Sequence, residues 1–438
     1  MSYKTIILIL LFINFQIDSL AQNSRDSLLL HLYSDIDSVI TDAISKEAFP
    51  GCIIYASQGE KAFFRKAYGF HTYDSLRSVS YSDLYDIASI TKVSASTLAL
   101  MKLYEVGLLD LDKPVREYVD SFGFSKFGKA TIREALAHQA GFKGWIKYYE
   151  VIKRRNGKYK RKTFLDRQTE SYPYKVSDDL YLHVDFYKKL KKYIKKTKVQ
   201  ANPEYVYSGL FFYLVPELVK NVTGMDFQSF LKFNFYDPLG IESLMFNPLE
   251  KFEPEEIVPT EIDSFFRKKP LHGEVHDEGA IFMKGVSGNA GQFSRIEDLA
   301  KVWHLFINNG IYRGDTLLNA ATIDLFTSYQ YPALNNRRGL GFDKPLLEYD
   351  EVKSSVAKSA GYMSYGHAGY TGTLGWADPD NDLVYIFFSN RVYPSRDHRM
   401  IYELNVRPTI HQYFYDFLDL VENCEKISTP KNGSDKAP

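Results

Sequence analysis

A serine and a lysine three residues apart, Ser89 and Lys92, stand at the start of a predicted helix in the stretch YDIASITKVSAS. Residues at i and i+3 share a helix face, so the two side chains can meet. A helix start offers unpaired N–H groups and a positive potential, which stabilise an alkoxide or an oxyanion. A buried lysine gives up its proton more readily than an exposed one, which would let Lys92 accept the proton of Ser89. The stretch predicts a nucleophile and its base, but a serine that only caps the helix fits the same residues.

The Ser-x-x-Lys spacing is weak on its own because it occurs four times in the chain. The four pairs are Ser89/Lys92, Ser229/Lys232, Ser355/Lys358 and Ser428/Lys431. Of these serines, we expect only Ser89 to open a long apolar helix. Ser229 is predicted to lie in the middle of an amphipathic helix, and Ser428 in the polar tail. Ser355 is not followed by a convincing helical pattern.

Two further stretches carry residue types that could assist such a nucleophile. Tyr207 precedes a predicted helix in EYVYSGLFFYLV, and His367 and Gly369 open a predicted hairpin in YGHAGYTGT. A tyrosine can act as a base when cations lie nearby. A His-x-Gly sequence on an edge strand offers a polar side chain together with close approach of the backbone. Three stretches far apart in sequence therefore have to be brought together by the fold.

The elements that would position these residues can be predicted from periodicity and turn signals. Residues 51–69 read as two strands around a polar turn, and residues 89–105 as a helix that Gly107 ends. The segment 370–391 reads as a hairpin, followed by a helix over 400–421. Between the two ends the pattern is mostly helical, so we expect one sheet built from both ends of the chain with a helical region inserted in the middle.

Composition indicates an ordinary globular protein. The 438 residues are 45% hydrophobic and 25% charged, with 54 Lys+Arg and 54 Asp+Glu. Zero net charge argues against nucleic acid as a main partner. Residues 153–198 are nevertheless strongly basic, which fits either a solvated insertion or a steering surface for an anionic polymer such as cell-wall material.

The first residues predict export. An early lysine, an apolar run over 5–15 and the small residues Ser19 and Ala21 are typical of a secretory signal cleaved after Ala21. An uncleaved membrane anchor is the alternative, although the apolar run is short for a bilayer span. The predicted organisation is a signal peptide over 1–21, one domain over 22–422 and a disordered polar tail over 423–438.

Several polar residues admit a plain structural interpretation. Cys52 and Cys424 could pair in an exported protein, but sequence does not supply the geometry that a disulfide needs. His138 in AHQAGF is interpreted as a structural hydrogen-bonding residue. HGEVHDE, over 272–278, lacks the helical histidine pair of a zinc site and is interpreted as a loop.

The order Ser-x-x-Lys, Tyr-Ser-x, His-x-Gly resembles the serine β-lactamase-related family, especially its class C-like and esterase-like members. Flanking segments are also similar: LYDIASITK, LLDLDKPVREYV, LAHQAGF, GVSGNAGQFSRIEDLA and GHAGYTGT. The resemblance covers roughly residues 45–420. It implies an α/β (α+β) fold, in which an antiparallel β-sheet is flanked by helices and a mostly helical lobe is inserted at about 108–308. The active site would lie between the sheet and this lobe.

The resemblance also implies roles for the motif residues. Ser89 would attack a carbonyl to form an acyl-enzyme that water then clears. Lys92 and Tyr207 would share the work of the base, and the N–H groups of Ser89 and Tyr370 would hold the oxyanion. His367 would stand where relatives carry a lysine and would orient the substrate or Tyr207. No metal or organic cofactor is implied.

One position departs from the family pattern. The second motif is typically Tyr-x-Asn in the family, and here its third residue is Gly209. Asn289, in GVSGNAG, is a candidate to replace the missing amide, although a loop residue in a glycine-rich turn is an equal alternative. Substrate contacts are predicted for Gly369, Tyr370 and Asn289. Glycine in place of Asn at 209 is also expected to leave room that bulky substrate groups could enter.

The substrate is less defined than the reaction. Members of the family cleave β-lactams, esters, D-amino-acid peptides or cell-wall amides. The run SNRVYPSRDHRMIYELNVRPTIHQ is similar to N-acetylmuramoyl-L-alanine amidases. We therefore expect a periplasmic or extracellular monomer, with no stable membrane span, acting on a cell-wall peptide or a small molecule. An esterase, a β-lactamase, a D-amino-acid peptidase and a catalytically inactive binding or sensor domain remain alternatives.

Overall fold

The computed structural model describes residues 25–177, 179–201 and 203–428. The strands in these ranges are β1 (Gly51–Gln58), β2 (Lys61–Gly69), β3 (Tyr85–Asp86), β4 (Phe164–Leu165), β5 (Tyr174–Ser177), β6 (Leu180–Leu182), β7 (Met245–Phe246), β8 (Glu261–Asp263), β9 (Lys269–Leu271), β10 (Gln292–Ser294), β11 (Ile311–Tyr312), β12 (Asp315–Thr316), β13 (Tyr365–Ala368), β14 (Leu374–Asp378) and β15 (Leu383–Ser389). The α-helices are α1 (25–45), α2 (Leu98–Glu105), α3 (Ile132–Leu136), α4 (Tyr148–Val151), α5 (Phe186–Lys195), α6 (Val215–Thr223), α7 (Phe227–Leu231), α8 (Glu278–Ile281), α9 (Ile296–Ile307), α10 (Ala320–Thr327), α11 (Met400–Glu403) and α12 (Val406–Ser428).

The main sheet joins both ends of the described chain, as the sequence predicts. Its five antiparallel strands run in the order β13–β14–β15–β1–β2. The central pairing is between β1 and β15, with Ile54 opposite Phe387. The predicted strand pairs at 51–69 and 370–391 are both confirmed, and the sheet edge formed by β13 carries His367.

Helices cover both faces of this sheet. Successive side chains of β1 point to opposite faces, and nearly all of them are buried, so each face has to pack against another layer. Ile53 and Tyr55 belong to the hydrophobic cluster that includes α9, whereas Ile54 belongs to the cluster that includes α1 and α12. Helix α9 lies so close to the sheet that a Cβ at Gly375 would be 2.3 Å from the indole nitrogen of Trp303. The result is the predicted antiparallel sheet flanked by helices.

The inserted lobe combines short helices with small sheets. Within the lobe, β4, β6 and β5 form one three-stranded sheet, and β10 and β7 form another with β3, which precedes the lobe. The longest helix of the lobe, α9, has 12 residues, and several helical segments are single 3-10 turns. The lobe is therefore less uniformly helical than its hydrophobic pattern indicates, since many of its apolar runs are too short to sustain a helix.

Two further differences from the sequence predictions lie in the described residues, and the alternatives left open for Cys52 and Cys424 are also decided there. The helix predicted over 89–105 is a 3-10 turn, a π-helical segment over Lys92–Thr97 and then α2. The last predicted helix breaks at Asn405, whose φ is +50°, and α12 then continues to Ser428, past the predicted start of the tail. Cys52 is a free, buried thiol, so it forms no disulfide with Cys424.

Some predictions concern residues outside the described ranges. The predicted signal peptide over 1–21 and residues 429–438 of the predicted tail lie there. Within the described ranges, no helix combines the length and the apolar character that crossing a bilayer requires.

Candidate active site

The predicted nucleophile and its base are in contact. Ser89 lies in the 3-10 turn Ala88–Ile90, and its Oγ accepts a hydrogen bond of 2.8 Å from the Nζ of Lys92. Ser89 is half-buried, whereas Lys92 is only 1% exposed. Lys92 donates a second bond of 2.8 Å to the backbone carbonyl of Asn289. This arrangement leaves the serine side chain partly accessible and places the Lys92 amine on its buried side.

A buried carboxylate holds the backbone in front of the nucleophile. Ala88 has φ of +46°, a left-handed conformation that costs energy for a residue with a Cβ. Its N–H donates to Oδ1 of Asp86 at 2.8 Å, and Oδ2 of Asp86 accepts from the N–H of His276 at 2.9 Å. Burial raises the pKa of Asp86, an effect that the His276 N–H opposes. Asp86 therefore fixes the strained turn that aims Ser89.

The edge strand β13 and the residues after it are tied to the same turn. The hydroxyl of Thr371 donates to the carbonyl of Asp86 at 2.7 Å, and that of Thr373 donates to the carbonyl of Ile87 at 3.2 Å. A Cβ at Gly369 would lie 2.0 Å from the Thr373 hydroxyl and 2.6 Å from the Ile87 carbonyl. Only glycine fits this approach, which explains the glycine of the third motif. Tyr370 follows directly and is 49% exposed at the cleft.

The N–H of Ser89 is available at the start of the helical segment. The first hydrogen bond of the 3-10 turn runs from the N–H of Ile90 to the carbonyl of Ile87. A donor that precedes the first bond of a helix has no intrahelical acceptor. The segment that carries the Ser89 N–H thus lies beside the backbone that leads to Tyr370. An oxyanion site requires backbone N–H donors held close together in this way.

Tyr207 lies beside the serine and lysine, as the three-motif prediction requires. The Nζ of Lys92 is 5.4 Å from the centroid of the Tyr207 ring, and the guanidinium carbon of Arg338 is 5.0 Å from it. The ring centroids of His138 and His367 are 4.6 and 6.0 Å away. Tyr207 is 36% exposed, so its ring stands in the wall of the cleft between two cations and two imidazoles.

Both imidazoles beside Tyr207 are neutral at neutral pH. Burial, together with the Arg338 and Lys92 cations, lowers the pKa of His367 to about 3. Burial and the same two cations hold the pKa of His138 well below its usual range. Nδ1 of His138 accepts from the N–H of Ser208 at 3.1 Å, so its role as a structural hydrogen-bonding residue fits the prediction.

The tautomer of His367 follows from its neighbour. Its Nδ1 lies 2.8 Å from the carbonyl of Ala368 and must donate to it. A neutral imidazole that donates from Nδ1 has an unprotonated Nε2, and this atom is buried without a partner. His367 therefore offers a hydrogen-bond acceptor beside Tyr207, and it carries no positive charge at neutral pH.

Asn289 occupies the space beside Gly209. A Cβ at Gly209 would lie 2.2 Å from Oδ1 of Asn289, whose Nδ2 donates to the hydroxyl of Tyr213 at 3.1 Å and to Asp277 at 3.2 Å. The φ of Gly209 is not positive, so the glycine is required by contact and not by backbone conformation. The expectation that Gly209 leaves room for a larger group is therefore wrong. The Asn289 side-chain amide is bound to Tyr213 and Asp277, and Lys92 is held by the Asn289 backbone carbonyl.

Two arginines and an aspartate in the cleft wall were missed by sequence reasoning. Arg337 makes a bidentate contact with Asp343 at 2.6 and 3.0 Å, and the Nε of Arg338 donates to the hydroxyl of Tyr205 at 3.1 Å. Burial would raise the pKa of Asp343, but Arg338 and Arg337 hold it well below its usual range. The sequence NNRRGLGFD matches no motif that would predict this cluster. Arg338 approaches Tyr207 only because the fold brings the two segments together.

A second buried ion cluster supports Tyr370 from behind. Glu261 contacts Nε2 of His276 at 2.7 Å and a guanidinium nitrogen of Arg396 at 2.6 Å, and Arg396 also contacts Glu278 at 2.7 Å. The ring of His276 stacks on that of Tyr370 with centroids 5.6 Å apart. The stretch HGEVHDE is thus mainly a loop, as predicted, but its second histidine is a structural support of the cleft.

The cleft in front of Ser89 has a volume of about 340 Å³. Its polar wall combines the motif residues with cationic side chains: Ser89, Tyr207, Arg337, Arg338, His367 and Arg407. Among the described residues, no group of three or more His, Cys, Asp or Glu side chains is arranged to hold a metal ion.

Comparison with known proteins agrees with this geometry. The chain is 31% identical over 328 residues to a protein of Escherichia coli (strain K12) that is named for a D-alanyl-D-alanine carboxypeptidase activity, with 70% of this chain and 69% of that protein covered. It is 29% identical over 381 residues to the N-acetylmuramyl-L-alanine amidase of Bacillus subtilis (strain 168), with 81% and 80% covered.

A solved structure shows the same fold. The penicillin-binding protein homologue of Caulobacter crescentus superposes with a TM-score of 0.61 over 88% of this chain and 97% of that one, at 16% identity. The Beta-lactamase family profile matches residues 36–406, nearly all of the described chain. With the Ser89–Lys92 contact at the expected place, the chain belongs to the Beta-lactamase family of serine hydrolases.

Proposed function

We propose that this chain is an exported hydrolase that forms an acyl-enzyme on Ser89 and cleaves an amide of a cell-wall peptide, in the manner of an N-acetylmuramyl-L-alanine amidase. The observation that carries the proposal is the 2.8 Å contact between the half-buried Ser89 hydroxyl and the buried Lys92 amine, in an open cleft walled by Tyr207. The cell-wall substrate rests on the names of two relatives, one an amidase and one named for a carboxypeptidase. Export rests on the signal-like residues 1–21.

The proposed reaction has two halves. The Ser89 oxygen bonds to the amide carbonyl carbon as its proton passes to the Lys92–Tyr207 pair, and the N–H groups of Ser89 and Tyr370 hold the oxyanion. The pair then returns the proton to the leaving amine, and the C–N bond breaks. In the second half a water molecule gives up a proton to the same pair and bonds to the ester carbonyl carbon. The C–O bond to Ser89 then breaks as the pair returns the proton to the Ser89 oxygen, which releases the acid and restores the hydroxyl.

In this proposal, His367 has a supporting role. Its unprotonated Nε2 can accept a hydrogen bond from a substrate amide or from the Tyr207 hydroxyl, whichever lies in the cleft. It cannot deliver positive charge at neutral pH, because its pKa is about 3. Arg338, whose guanidinium is 5.0 Å from the Tyr207 ring, is the group that keeps positive charge on that side of the cleft.

A D-alanyl-D-alanine carboxypeptidase is the second candidate, since the relative with 31% identity carries that name. Both reactions use the same acyl chemistry and differ in the bond that is cut. An N-acetylmuramyl pentapeptide ending in D-alanyl-D-alanine distinguishes them in one mixture, because an amidase releases the intact peptide and a carboxypeptidase releases free D-alanine.

The same assay should include a chromogenic cephalosporin and an ester reporter at matched concentrations. We expect the muramyl peptide to be cleaved with the highest kcat/KM and the intact peptide to be the product. Release of D-alanine alone would replace the amidase by the second candidate. Faster cephalosporin or ester turnover would assign a β-lactamase or an esterase. Absence of turnover on all three substrates would favour a binding or sensor domain.

A further inference from the structure

The inserted segment 153–198 carries a charge imbalance that the rest of the chain compensates. It contains 16 of the 54 Lys and Arg residues but only 5 of the 54 Asp and Glu residues. The remainder of the chain accordingly has 38 basic and 49 acidic residues. The zero net charge of the whole protein therefore conceals a strongly cationic segment and an acidic remainder. Such local charge acts on partners within about 8 Å at physiological salt.

The segment is folded, so its charges are displayed on a fixed scaffold. Strands β4, β6 and β5 form its small sheet, and α5 packs against the body through Phe186, Leu190 and Ile194, which are all buried. These three residues recur every four positions and leave the remaining face of α5 to its lysines. Lys192 on that face is exposed.

The cations of the segment differ in their surroundings. Among the described residues of the segment, carboxylates form ion pairs with Arg167, Lys188 and Lys191. By contrast, Lys189 lies near Lys160 and Lys162, and burial together with these two cations lowers its pKa, while its Nζ donates to the carbonyl of Arg161. Uncompensated like charges of this kind are stabilised when an anionic partner binds.

The two stretches that connect the segment to the rest of the protein, its roots, lie at the edge of the active-site cleft. The chain leaves the body just after Gly144, whose carbonyl accepts from the N–H of Gly209 at 3.3 Å. On its return, Gln200 donates from its N–H to the carbonyl of Gly141 at 3.0 Å, and the hydroxyl of Ser208 donates to the carbonyl of Lys143 at 2.8 Å. Both roots therefore lie next to Tyr207, so a polymer held by the segment is kept close to Ser89.

We propose that residues 153–198 form a docking face for an anionic cell-wall glycopeptide, the polymer from which the substrate amide is drawn. The partner fits by charge, because the peptide stems of such a polymer carry free carboxylates at regular intervals along a neutral glycan. The inference rests on the proposed function for the identity of the polymer, but the docking face itself is independent of catalysis.

The test reverses charge at three exposed positions of the face: Lys158→Glu, Lys162→Glu and Lys192→Glu in one variant. A matched control carries Lys46→Glu, Lys61→Glu and Lys426→Glu, three exposed lysines outside the segment. Both variants change the net charge equally. Turnover of a small soluble substrate serves as the folding control, because none of the six lysines lines the cleft.

Binding is measured by co-sedimentation with purified peptidoglycan sacculi at rising NaCl, beside vesicles of anionic phospholipid. The wild type should bind sacculi in a salt-sensitive manner, the face variant should bind them about tenfold more weakly, and the control should match the wild type. On insoluble sacculi KM should rise in the face variant, while turnover of the soluble substrate stays unchanged.

Each other outcome has a defined meaning. Equal binding by the face variant and the wild type would overturn the proposal and leave a solvated surface. Tighter binding to phospholipid vesicles than to sacculi would also overturn it, in favour of a membrane partner. Salt-sensitive binding to sacculi without any cleavage of them would uphold the docking face and refute the proposed function.

Discussion

Gly209 and Asn289 form a mutually dependent pair, and this dependence can be measured. In a Gly209→Ala variant the new Cβ would lie 2.2 Å from Oδ1 of Asn289, so the Asn289 side chain has to move by more than 1 Å to reach an ordinary contact distance. That side chain is held by its bonds to Tyr213 and Asp277. The movement breaks both bonds, or else shifts the backbone whose carbonyl holds Lys92.

The magnitude follows from the two bonds. The bond to a neutral hydroxyl contributes about 1 kcal/mol, and the bond to a carboxylate about 1.5–3 kcal/mol. Gly209→Ala should therefore lower the free energy of unfolding by about 2–4 kcal/mol, and Asn289→Ala by a similar amount. In the double variant the two changes no longer conflict, so the added cost of Gly209→Ala should fall to about zero.

Urea unfolding of the wild type, the two single variants and the double variant gives the coupling energy directly. We expect a coupling of about 2–4 kcal/mol, because residues in contact are not additive. Soluble-substrate turnover should follow the same order, with the double variant more active than Gly209→Ala. Losses that add within about 0.5 kcal/mol would show that Asn289 does not fill the space beside Gly209 and would refute this account of the altered motif.

Three other predictions concern the cleft and the core. Arg338→Met should lower kcat/KM by roughly 10²-fold because a fixed cation beside Tyr207 is lost, and Arg338→Lys should recover most of it; equal losses in both variants would contradict the charge argument. Ala88→Gly should keep full activity and raise the melting temperature, since glycine adopts φ of +46° without strain, whereas a lower melting temperature would argue against strain at this position. Burial lowers the pKa of His411 to about 3 in the folded protein, against about 6.5 when unfolded, so the unfolded state binds the extra proton first and stability falls as the pH drops below 6.5. His411 should therefore account for a loss of about 2 kcal/mol between pH 7 and pH 5, which urea titrations of the wild type and His411→Gln can check, and an unchanged pH dependence in His411→Gln would contradict it.

The sheet and the three motifs could be predicted because their signals are local. Two short apolar runs around a polar turn specify β1 and β2, and the turn at 379–382 specifies the hairpin of β14 and β15. The order of the motifs then placed Ser89, Lys92, Tyr207 and His367 in one cleft, and the structure brings them together there.

The supports of the cleft could not be predicted because they depend on contacts between distant segments. Asp86 acts through the His276 N–H, and Arg338 acts on Tyr207 across more than a hundred positions of sequence. The left-handed conformation of Ala88 is also invisible in sequence, since alanine gives no signal for a positive φ. The interpretation of Gly209 failed for the same reason, because the side chain that fills its space comes from another loop.

The central claim is that Ser89 is the nucleophile, and covalent labelling tests it most directly. The purified protein is treated with a serine-reactive fluorophosphonate, and the labelled residue is identified by mass spectrometry of its peptides. We predict one phosphonyl group per chain on Ser89, loss of fluoride as the leaving group, and no labelling of a Ser89→Ala variant whose urea unfolding matches the wild type. Turnover in that variant should fall by three or more powers of ten. Labelling at another residue, or unchanged turnover in Ser89→Ala, would contradict the account.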